Sequence, residues 1–188
     1  MILVRHGQSE FNVVYGKTRQ DPGIRDPELT KLGREQATQA ARILRRMGGH
    51  KVICSPYRRA IQTATIIAEA LGLAIAVDPG VGERAAFICD IGSPPSALAA
   101  AWPMLNFDHL AETWWPEGGE SEAAVDSRGR AFRHAMRAQP DWRGRIVVTH
   151  WGFIRALTEH RVENCAIIRF DPHSGHPGGG MVVSALDV

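Results

Sequence analysis

The 188-residue sequence lacks any long apolar stretch. Its longest apolar run, Ala97 to Trp102, ends at Pro103 and is far shorter than the roughly 20 residues that a membrane-spanning helix needs. The N-terminal residues Met1 to Arg5 also lack the basic segment and apolar core of a signal peptide. We therefore expect neither a membrane segment nor a cleaved leader.

Cysteine is scarce as well. Cys54, Cys89 and Cys165 are widely spaced, and none belongs to a Cys-x-x-Cys pair. This pattern indicates neither a zinc ribbon nor a disulfide framework. Buried, reduced thiols are the expectation, which favours a cytoplasmic location.

The sequence also lacks a strong net charge, because its 22 basic and 20 acidic residues leave a charge of only +2. We therefore expect no nucleic-acid partner and no membrane partner. Only three of the basic residues are lysines. Arginine suits bidentate binding of phosphate or carboxylate. Codon bias explains the overall excess of arginine equally well, so only the position of an individual arginine indicates a function. The oligomeric state is left open.

Short apolar runs alternate with segments of helical periodicity, which is typical of an α/β protein with a mostly parallel sheet. The predicted strands are residues 2–4, 51–54, 73–77, 145–149, 166–170 and 181–186. The predicted helices are residues 30–47, 55–71, 121–137 and 153–159. Thr30 and Ser55 are the expected N-caps of the first two helices, with Pro56 at the first helical position of the second. The length predicts one domain over residues 1–188, with an insertion at about 78–116.

Chemically active residues follow four of the predicted strands. They are Arg5 and His6 after the first strand, Ser55, Arg58 and Arg59 after the second, Glu83 after the third and His150 after the fourth. Because ligands bind beyond the carboxyl ends of parallel strands, we expect these residues at one edge of the sheet.

Such a group of residues is typical of an anion-binding site that can also carry out acid–base catalysis. A dianionic phosphoryl group matches arginine forks and helix N-terminal amides. A neutral imidazole is a competent nucleophile towards phosphorus, and a second imidazole, protonated, stabilises charge on the equatorial oxygens. A carboxyl group is then needed to protonate the leaving alkoxide and later to activate water.

The segment Arg5-His6-Gly7-Gln8-Ser9-Glu10-Phe11-Asn12 resembles the Arg-His-Gly-x-Ser/Thr-x-x-Asn signature of the histidine phosphatase superfamily, in the branch that contains cofactor-dependent phosphoglycerate mutase. Further segments resemble other motifs of the family, in the family's order. They are residues 26–33, residues 55–64, Gly118-Gly119-Glu120-Ser121 and Val148-Thr149-His150. The resemblance covers roughly residues 2–186 and implies a three-layer α/β/α sandwich with a mostly parallel central sheet.

The resemblance also implies roles for individual residues. His6 is the expected phosphorylated nucleophile, Glu83 the expected acid/base, and His150 the second catalytic histidine. The expected phosphate-binding residues are Arg5, Arg59, Asn12 and His150. Because Ile88 follows Phe87 where the family usually has glycine, Glu120 and Asp90 are kept as alternative carboxylates.

Trp151 stands where many members of the family have glycine. We expect Trp151 to form a wall of the substrate site, with Arg58 at its rim. Trp114 and Trp115 either join this wall or cover the core beneath the insertion. Arg128 is expected to hold the insertion through an ion pair rather than to act in catalysis.

The sequence therefore predicts a metal-independent phosphomonoesterase that acts through a phosphohistidine on a small phosphorylated metabolite, without a cofactor. Two alternatives stay open. One is a phosphoglycerate-type mutase, which a bisphosphorylated primer would stimulate. The other is a catalytically silent sensor of phosphate ligands. The determinants of substrate choice are expected in the insertion at about residues 78–116.

Overall fold

The structure is a computed structural model that describes residues 1–183. Its strands are β1 (Ile2–Arg5), β2 (Lys51–Cys54), β3 (Ile75–Val77), β4 (Arg145–Thr149), β5 (Ile167–Phe170) and β6 (Gly180–Val183). Its α-helices are α1 (Glu10–Thr18), α2 (Lys31–Leu44), α3 (Arg58–Leu71), α4 (Pro95–Ala101), α5 (Glu122–Arg137) and α6 (Trp151–Thr158). Within the described part of the chain, no helix is both long enough and apolar enough to cross a membrane.

The strands form one six-stranded sheet in the order β3-β2-β4-β1-β5-β6. The β3/β2, β2/β4 and β4/β1 pairs are parallel, whereas β1/β5 and β5/β6 are antiparallel. The predicted mostly parallel sheet is therefore confirmed. The register pairs Arg5 with Thr149 and Cys54 with Val148, so β1, β2 and β4 end at the same edge.

Two apolar cores lie on the two faces of the sheet, because successive side chains of a strand point to opposite faces. Val4 and Val148 belong to the core that α2 and α3 cover. Leu3 and Val147 belong to the core that α5 and α6 cover. The three-layer α/β/α sandwich implied by the family resemblance is confirmed.

The predicted N-cap holds for α2 but not for α3, and α5 has an N-cap of the same kind at Ser121. Thr30 Oγ1 accepts a hydrogen bond from the Gly33 amide at 3.0 Å, and Ser121 Oγ accepts one from the Ala124 amide at 3.1 Å. The expected start of α3 at Ser55 is wrong, since Tyr57 is its N-cap and its first residue is Arg58. Ser55 instead directs its hydroxyl to His150.

Several boundaries also differ from the sequence prediction. Helix α1 was not predicted, and α6 begins at Trp151 rather than residue 153. Strand β3 is shorter than predicted. The last predicted strand begins one residue earlier, at Gly180, and its final residues, 184–186, lie outside the described part of the chain.

The segment at 78–116 contains two 3₁₀ turns, Pro79–Val81 and Ile88–Asp90, followed by helix α4. Beyond the second turn the chain packs on the α2/α3 core. Leu98 and Phe107 are buried in that core, and Trp102 packs against it. Of this segment, only the first part approaches the carboxyl edge of the sheet.

Candidate active site

A cavity of about 550 Å³ opens at the carboxyl edge of the sheet. Most of the predicted site residues line it: Arg5, His6, Asn12, Arg59, Glu83 and Trp151. His150 packs directly beside the nucleophile position, with its ring centroid 5.0 Å from that of His6. The fold therefore brings together residues that are far apart in sequence.

His6 directly follows β1 and is buried. Its backbone N–H donates to the Thr149 carbonyl at 2.9 Å, which fixes it to β4. Its Nδ1 lies 2.7 Å from the Gly7 carbonyl, and because a carbonyl only accepts, Nδ1 carries the proton and Nε2 the lone pair. Burial, followed by the charges of Arg59 and Arg5, holds the pKa of His6 well below 6.5. The imidazole is thus neutral, as a nucleophile must be.

His150 is fully buried immediately before α6. Its Nε2 lies 2.8 Å from Ser55 Oγ, and its Nδ1 has no hydrogen-bond partner within residues 1–183. Burial and the charge of Arg59 hold the pKa of His150 well below 6.5. This shift disfavours the protonated form of the second imidazole while no anion is bound, because the same cationic surroundings act on both rings.

The two predicted phosphate-binding arginines are oriented by the protein itself. Arg5 donates from Nη1 to the Val162 carbonyl at 2.7 Å, and its buried Nε has no partner in the described chain. Arg59 donates from Nη1 to the Cys89 carbonyl at 2.8 Å and from Nη2 to Asp90 Oδ1 at 3.0 Å. Both guanidinium groups therefore reach the cavity in fixed orientations.

Glu83 lies at the N-terminus of α6. Its Oε1 accepts hydrogen bonds from the amides of Arg84 and Gly152, both at 2.8 Å. Burial, followed by the negative charge of Asp90, raises the pKa of the Glu83 carboxyl. A carboxyl group whose pKa is raised keeps its proton to higher pH than an exposed one, which suits general acid catalysis.

The two alternative carboxylates are committed elsewhere. Glu120 accepts from Arg128 Nε at 3.1 Å and from Nη2 at 2.6 Å. Arg128 also donates to the carbonyls of Gly80 and Gly82, which confirms its expected role in holding the insertion. Asp90 accepts hydrogen bonds with both of its oxygens and is paired with Arg59.

Asn12 contributes to the cavity wall and also to the structure of α1. Its Oδ1 accepts from the Ser9 amide at 2.9 Å, so it closes the capping box of α1. The same oxygen accepts from Asn164 Nδ2 at 3.2 Å, and Asn164 also donates to the His6 carbonyl at 3.1 Å. Sequence reasoning missed Asn164, which connects the loop after α6 to His6.

The structure separates the two residues of the expected substrate wall. Trp151 lines the cavity, and the Arg155 guanidinium lies 5.5 Å from the centre of its ring. Arg58 does not line the cavity because its guanidinium pairs with Glu28.

The other two tryptophans of the alternative prediction do not line the cavity either. Trp114 donates from Nε1 to the Ser93 carbonyl at 2.9 Å and packs against Tyr57, with ring centroids 4.7 Å apart. The rings of Trp114 and Trp115 also pack against each other at right angles, with centroids 5.4 Å apart. Both therefore cover the inner part of the insertion.

An aromatic wall was also missed. Phe11, Tyr15 and Phe87 pack against one another with ring centroids 5.1 to 5.4 Å apart and line the outer cavity. The i, i+4 spacing of Phe11 and Tyr15 could have indicated from the sequence that these two rings lie on one face of a helix. Arg161, in the loop after α6, lines the same mouth and was missed too.

The described residues contain no cluster of three or more His, Cys, Asp or Glu side chains arranged to hold a metal ion. His176, which could have suggested one with His173, instead contacts Asp126 Oδ1 at 2.8 Å. The donors present at the cavity therefore match an anion rather than a cation.

The sequence matches the model of the histidine phosphatase superfamily (branch 1) over residues 1–176. The chain belongs to this superfamily, and the resemblance drawn from its motifs is confirmed.

Named relatives support the same class. The glucosyl-3-phosphoglycerate phosphatase of Mycobacterium tuberculosis is 31% identical over 172 residues, which cover 84% of this chain and 73% of that protein. A probable phosphoglycerate mutase GpmB of Yersinia enterocolitica is 40% identical over 186 residues, covering 91% and 84%. The structure of a mycobacterial glucosyl-3-phosphoglycerate phosphatase complexed with VO3 superposes with a TM-score of 0.64 at 27% identity, covering 97% of this chain and 95% of that one. The predicted enzyme class, a phosphatase of this superfamily, is confirmed.

Proposed function

We propose that the protein hydrolyses the phosphomonoester of a small metabolite through a phosphohistidine at His6, without a metal ion. One observation carries this proposal. The Nδ1 proton of His6 is anchored to the Gly7 carbonyl, so a neutral imidazole offers its Nε2 lone pair in a cavity that Arg5, Arg59 and Glu83 also line.

In the first step, the guanidinium groups of Arg5 and Arg59 hold the phosphoryl oxygens, and His150 Nδ1 supplies a further hydrogen bond. His6 Nε2 attacks phosphorus, and the bond between phosphorus and the ester oxygen breaks. Glu83 gives its proton to the departing alkoxide. The raised pKa of Glu83 supports this role, because the acid must carry the proton when substrate arrives.

In the second step, water attacks the phosphohistidine while the Glu83 carboxylate takes its proton. The N–P bond breaks, its electron pair returns to His6 Nε2, and inorganic phosphate leaves. Glu83 is then protonated again, and the site has returned to its starting state. His6, Glu83 and His150 are the proposed catalytic residues, and Asn12 is proposed to support the phosphate site from α1.

Water is the proposed acceptor because the cavity mouth is not enclosed by the insertion. Residues 83–90 supply the insertion's contribution to the lining, whereas Leu98 and Phe107 are buried in the α2/α3 core. Substrate choice is therefore assigned to the aromatic wall, Trp151 and Arg161, and not to the whole of 78–116. A cytoplasmic location remains part of the proposal, on the basis of cysteine usage.

A mutase is the second candidate, because the 40% identical relative is named a probable phosphoglycerate mutase. A mutase would return the phosphoryl group from His6 to a second hydroxyl of the substrate. Stimulation by a bisphosphorylated primer, with little phosphate released, would identify it.

The test is hydrolysis of p-nitrophenyl phosphate and of a panel of alkyl phosphates between pH 5 and 8, with and without EDTA. The variants are His6→Ala and, as a matched control, His134→Ala on the exposed face of α5. We expect EDTA-resistant turnover that His6→Ala abolishes and His134→Ala retains. Rapid quenching with labelled substrate should trap an acid-labile phosphoprotein. Activity that survives in His6→Ala would refute the proposed mechanism, and phosphate binding without turnover would favour a sensor.

A further inference from the structure

Asp90 is a carboxylate buried beside the proposed phosphate site. It lies in the 3₁₀ turn Ile88–Asp90, and its side chain is only 2% exposed. Its Oδ1 lies 3.0 Å from Nη2 of Arg59, whose side chain is 3% exposed. A buried ion pair of this kind gives up the hydration of both charges, so its geometry must be well satisfied.

The same carboxylate also holds the loop that follows Glu83. Asp90 Oδ2 accepts from the amides of Ala86 at 3.0 Å and Phe87 at 3.1 Å. The Asp90 backbone carbonyl accepts from the Tyr57 hydroxyl at 2.6 Å, and the Tyr57 ring lies 4.5 Å from the Arg59 guanidinium. One residue thus ties the Glu83 loop to the start of α3.

The placement is unfavourable for simple anion binding. A carboxylate paired with Arg59 withdraws part of that guanidinium's attraction from an incoming dianion, because like charges repel strongly where water is excluded. A site selected only for tight phosphate binding would leave Arg59 unpaired. The arrangement therefore suits a site that must also release phosphate.

We propose that Asp90 is a positioning residue of the phosphatase site, which fixes Arg59 relative to the Glu83 loop and limits how tightly the site holds phosphate. This inference rests on the proposed function. Asp90 needs no contact with the reacting atoms in this role. It acts through Arg59, whose orientation it sets, and through Glu83, whose proton its negative charge favours.

The other groups facing Glu83 act in both directions. Arg59 from α3 and Arg5 from β1 oppose protonation of Glu83, and the Gly152 amide from α6 donates to it. Arg128 from α5 donates to the Glu83 backbone carbonyl at 3.3 Å. His6 and His150 are held neutral. Further charged groups that line the same cavity are Arg19, Arg84, Arg161 and Glu163. Among the charged groups with a resolved effect on the Glu83 pKa, Asp90 alone favours protonation, so its removal has a defined direction.

The test compares Asp90→Asn with Asp90→Glu, which keeps the charge. For Asp90→Asn, we expect phosphate to inhibit about tenfold more tightly, because a negative charge beside Arg59 is lost. The alkaline limb of its kcat/KM profile should also move down by about one pH unit, because Glu83 loses its proton more readily. Asp90→Glu should keep the limb and the phosphate affinity within about twofold while lowering kcat, because its longer side chain displaces the Glu83 loop.

A purely structural role predicts a different outcome. Loosening Arg59 would weaken phosphate binding and leave the alkaline limb in place, and either result for Asp90→Asn overturns the proposal. Asp108→Asn removes an exposed carboxylate of the insertion and should change neither readout. If Asp90→Asn does not fold, Asp90→Ser is also neutral and smaller, and the alkaline limb alone decides, because serine is too short to hold Arg59. Failure of the proposed function would show in the native chain itself, as absent turnover or as activity retained by His6→Ala.

Discussion

Replacing Gly152 with alanine tests how the proposed acid/base carboxyl, that of Glu83, is positioned. Gly152 is the second residue of α6, and its amide donates to Glu83 Oε1 at 2.8 Å. A Cβ at this position would overlap Glu83 Oε1 and would come within 3.1 Å of Arg84 Cβ. The Arg84 side chain donates hydrogen bonds to the Glu120 carbonyl and the Glu122 carboxylate, whereas the Glu83 carboxyl is the group nearest to the new Cβ. The Glu83 carboxyl must therefore move.

The two energetic effects on folding nearly cancel. Alanine is favoured over glycine within a helix by about 1 kcal/mol. Loss of the Gly152–Glu83 hydrogen bond costs about 0.5–1.5 kcal/mol. We therefore expect the free energy of unfolding to stay within about 1 kcal/mol of native. Catalysis has no such compensation, since a shift of about 1 Å in a catalytic group can cost about 100-fold in rate.

The assay separates substrates by their need for a proton. An alkyl phosphate requires Glu83 to protonate the leaving alkoxide, whereas p-nitrophenolate departs without one. Because kcat/KM reports only the steps through the first irreversible one, we expect Gly152→Ala to lose about 100-fold in kcat/KM on an alkyl phosphate and less than about tenfold on p-nitrophenyl phosphate. Gly175→Ala is the matched control, since a Cβ there meets no atom within 4 Å. An alkyl phosphate kcat/KM that stays within about threefold of native in folded Gly152→Ala would refute the placement of Glu83.

Three further predictions test the surroundings of the site. Arg161→Gln should raise KM about three- to tenfold for phosphoesters that carry a second negative group and leave KM for p-nitrophenyl phosphate unchanged. The free energy of unfolding should stay within about 0.5 kcal/mol of native, and Arg46→Gln is the control. Arg58→Gln should keep kcat/KM within about twofold, whereas Arg59→Gln should lose more than about 100-fold; similar losses in both would contradict the assignment. The pKa values of His6 and His150 are lowered in the folded protein, so as pH falls below about 6.5 only the unfolded chain binds a proton at each of these histidines. Their contribution to the free energy of unfolding is therefore full above that pH and decreases below it. Between pH 6 and 5, the free energy of unfolding measured with urea should fall less steeply in His6→Asn than in the native protein, by about 1.4 kcal/mol per pH unit. An unchanged slope would show that His6 is protonated in the folded protein.

The layers of the fold, and the strands whose ends carry the candidate site residues, could be predicted because they depend on local sequence patterns. The continuous apolar run of β1 and the capped, one-sided helix α2 are both visible in adjacent residues of the sequence. Helix α1 left no such pattern, since Phe11 is the only buried residue of its nine. Its N-terminus was visible only as part of the family signature around Asn12.

The start of α3 shows why a strong local signal can mislead. Ser55-Pro56 has the composition of an N-cap and a first helical residue, yet the Ser55 hydroxyl contacts His150, which is 95 residues away in sequence. A long-range partner changed the conformation that local propensity favours. The Asp90–Arg59 pair was invisible for the same reason, because both residues must first be placed by the fold.

In the proposed mechanism the charges of Arg5 and Arg59 serve two purposes. They attract a phosphoryl dianion, and together with burial they keep His6 unprotonated before that dianion arrives. Protonation of His6 would place a third positive charge among them and remove the Nε2 lone pair. In the proposed mechanism a bound dianion neutralises the two arginines and gives His150 Nδ1, which has no hydrogen-bond partner in the described chain, an acceptor. Binding and activation of the nucleophile therefore come from the same two guanidinium groups. It follows that weakening either arginine should lower kcat as well as raise KM, and should shift the acidic limb of the rate profile to higher pH, because the pKa of His6 rises when a neighbouring positive charge is lost.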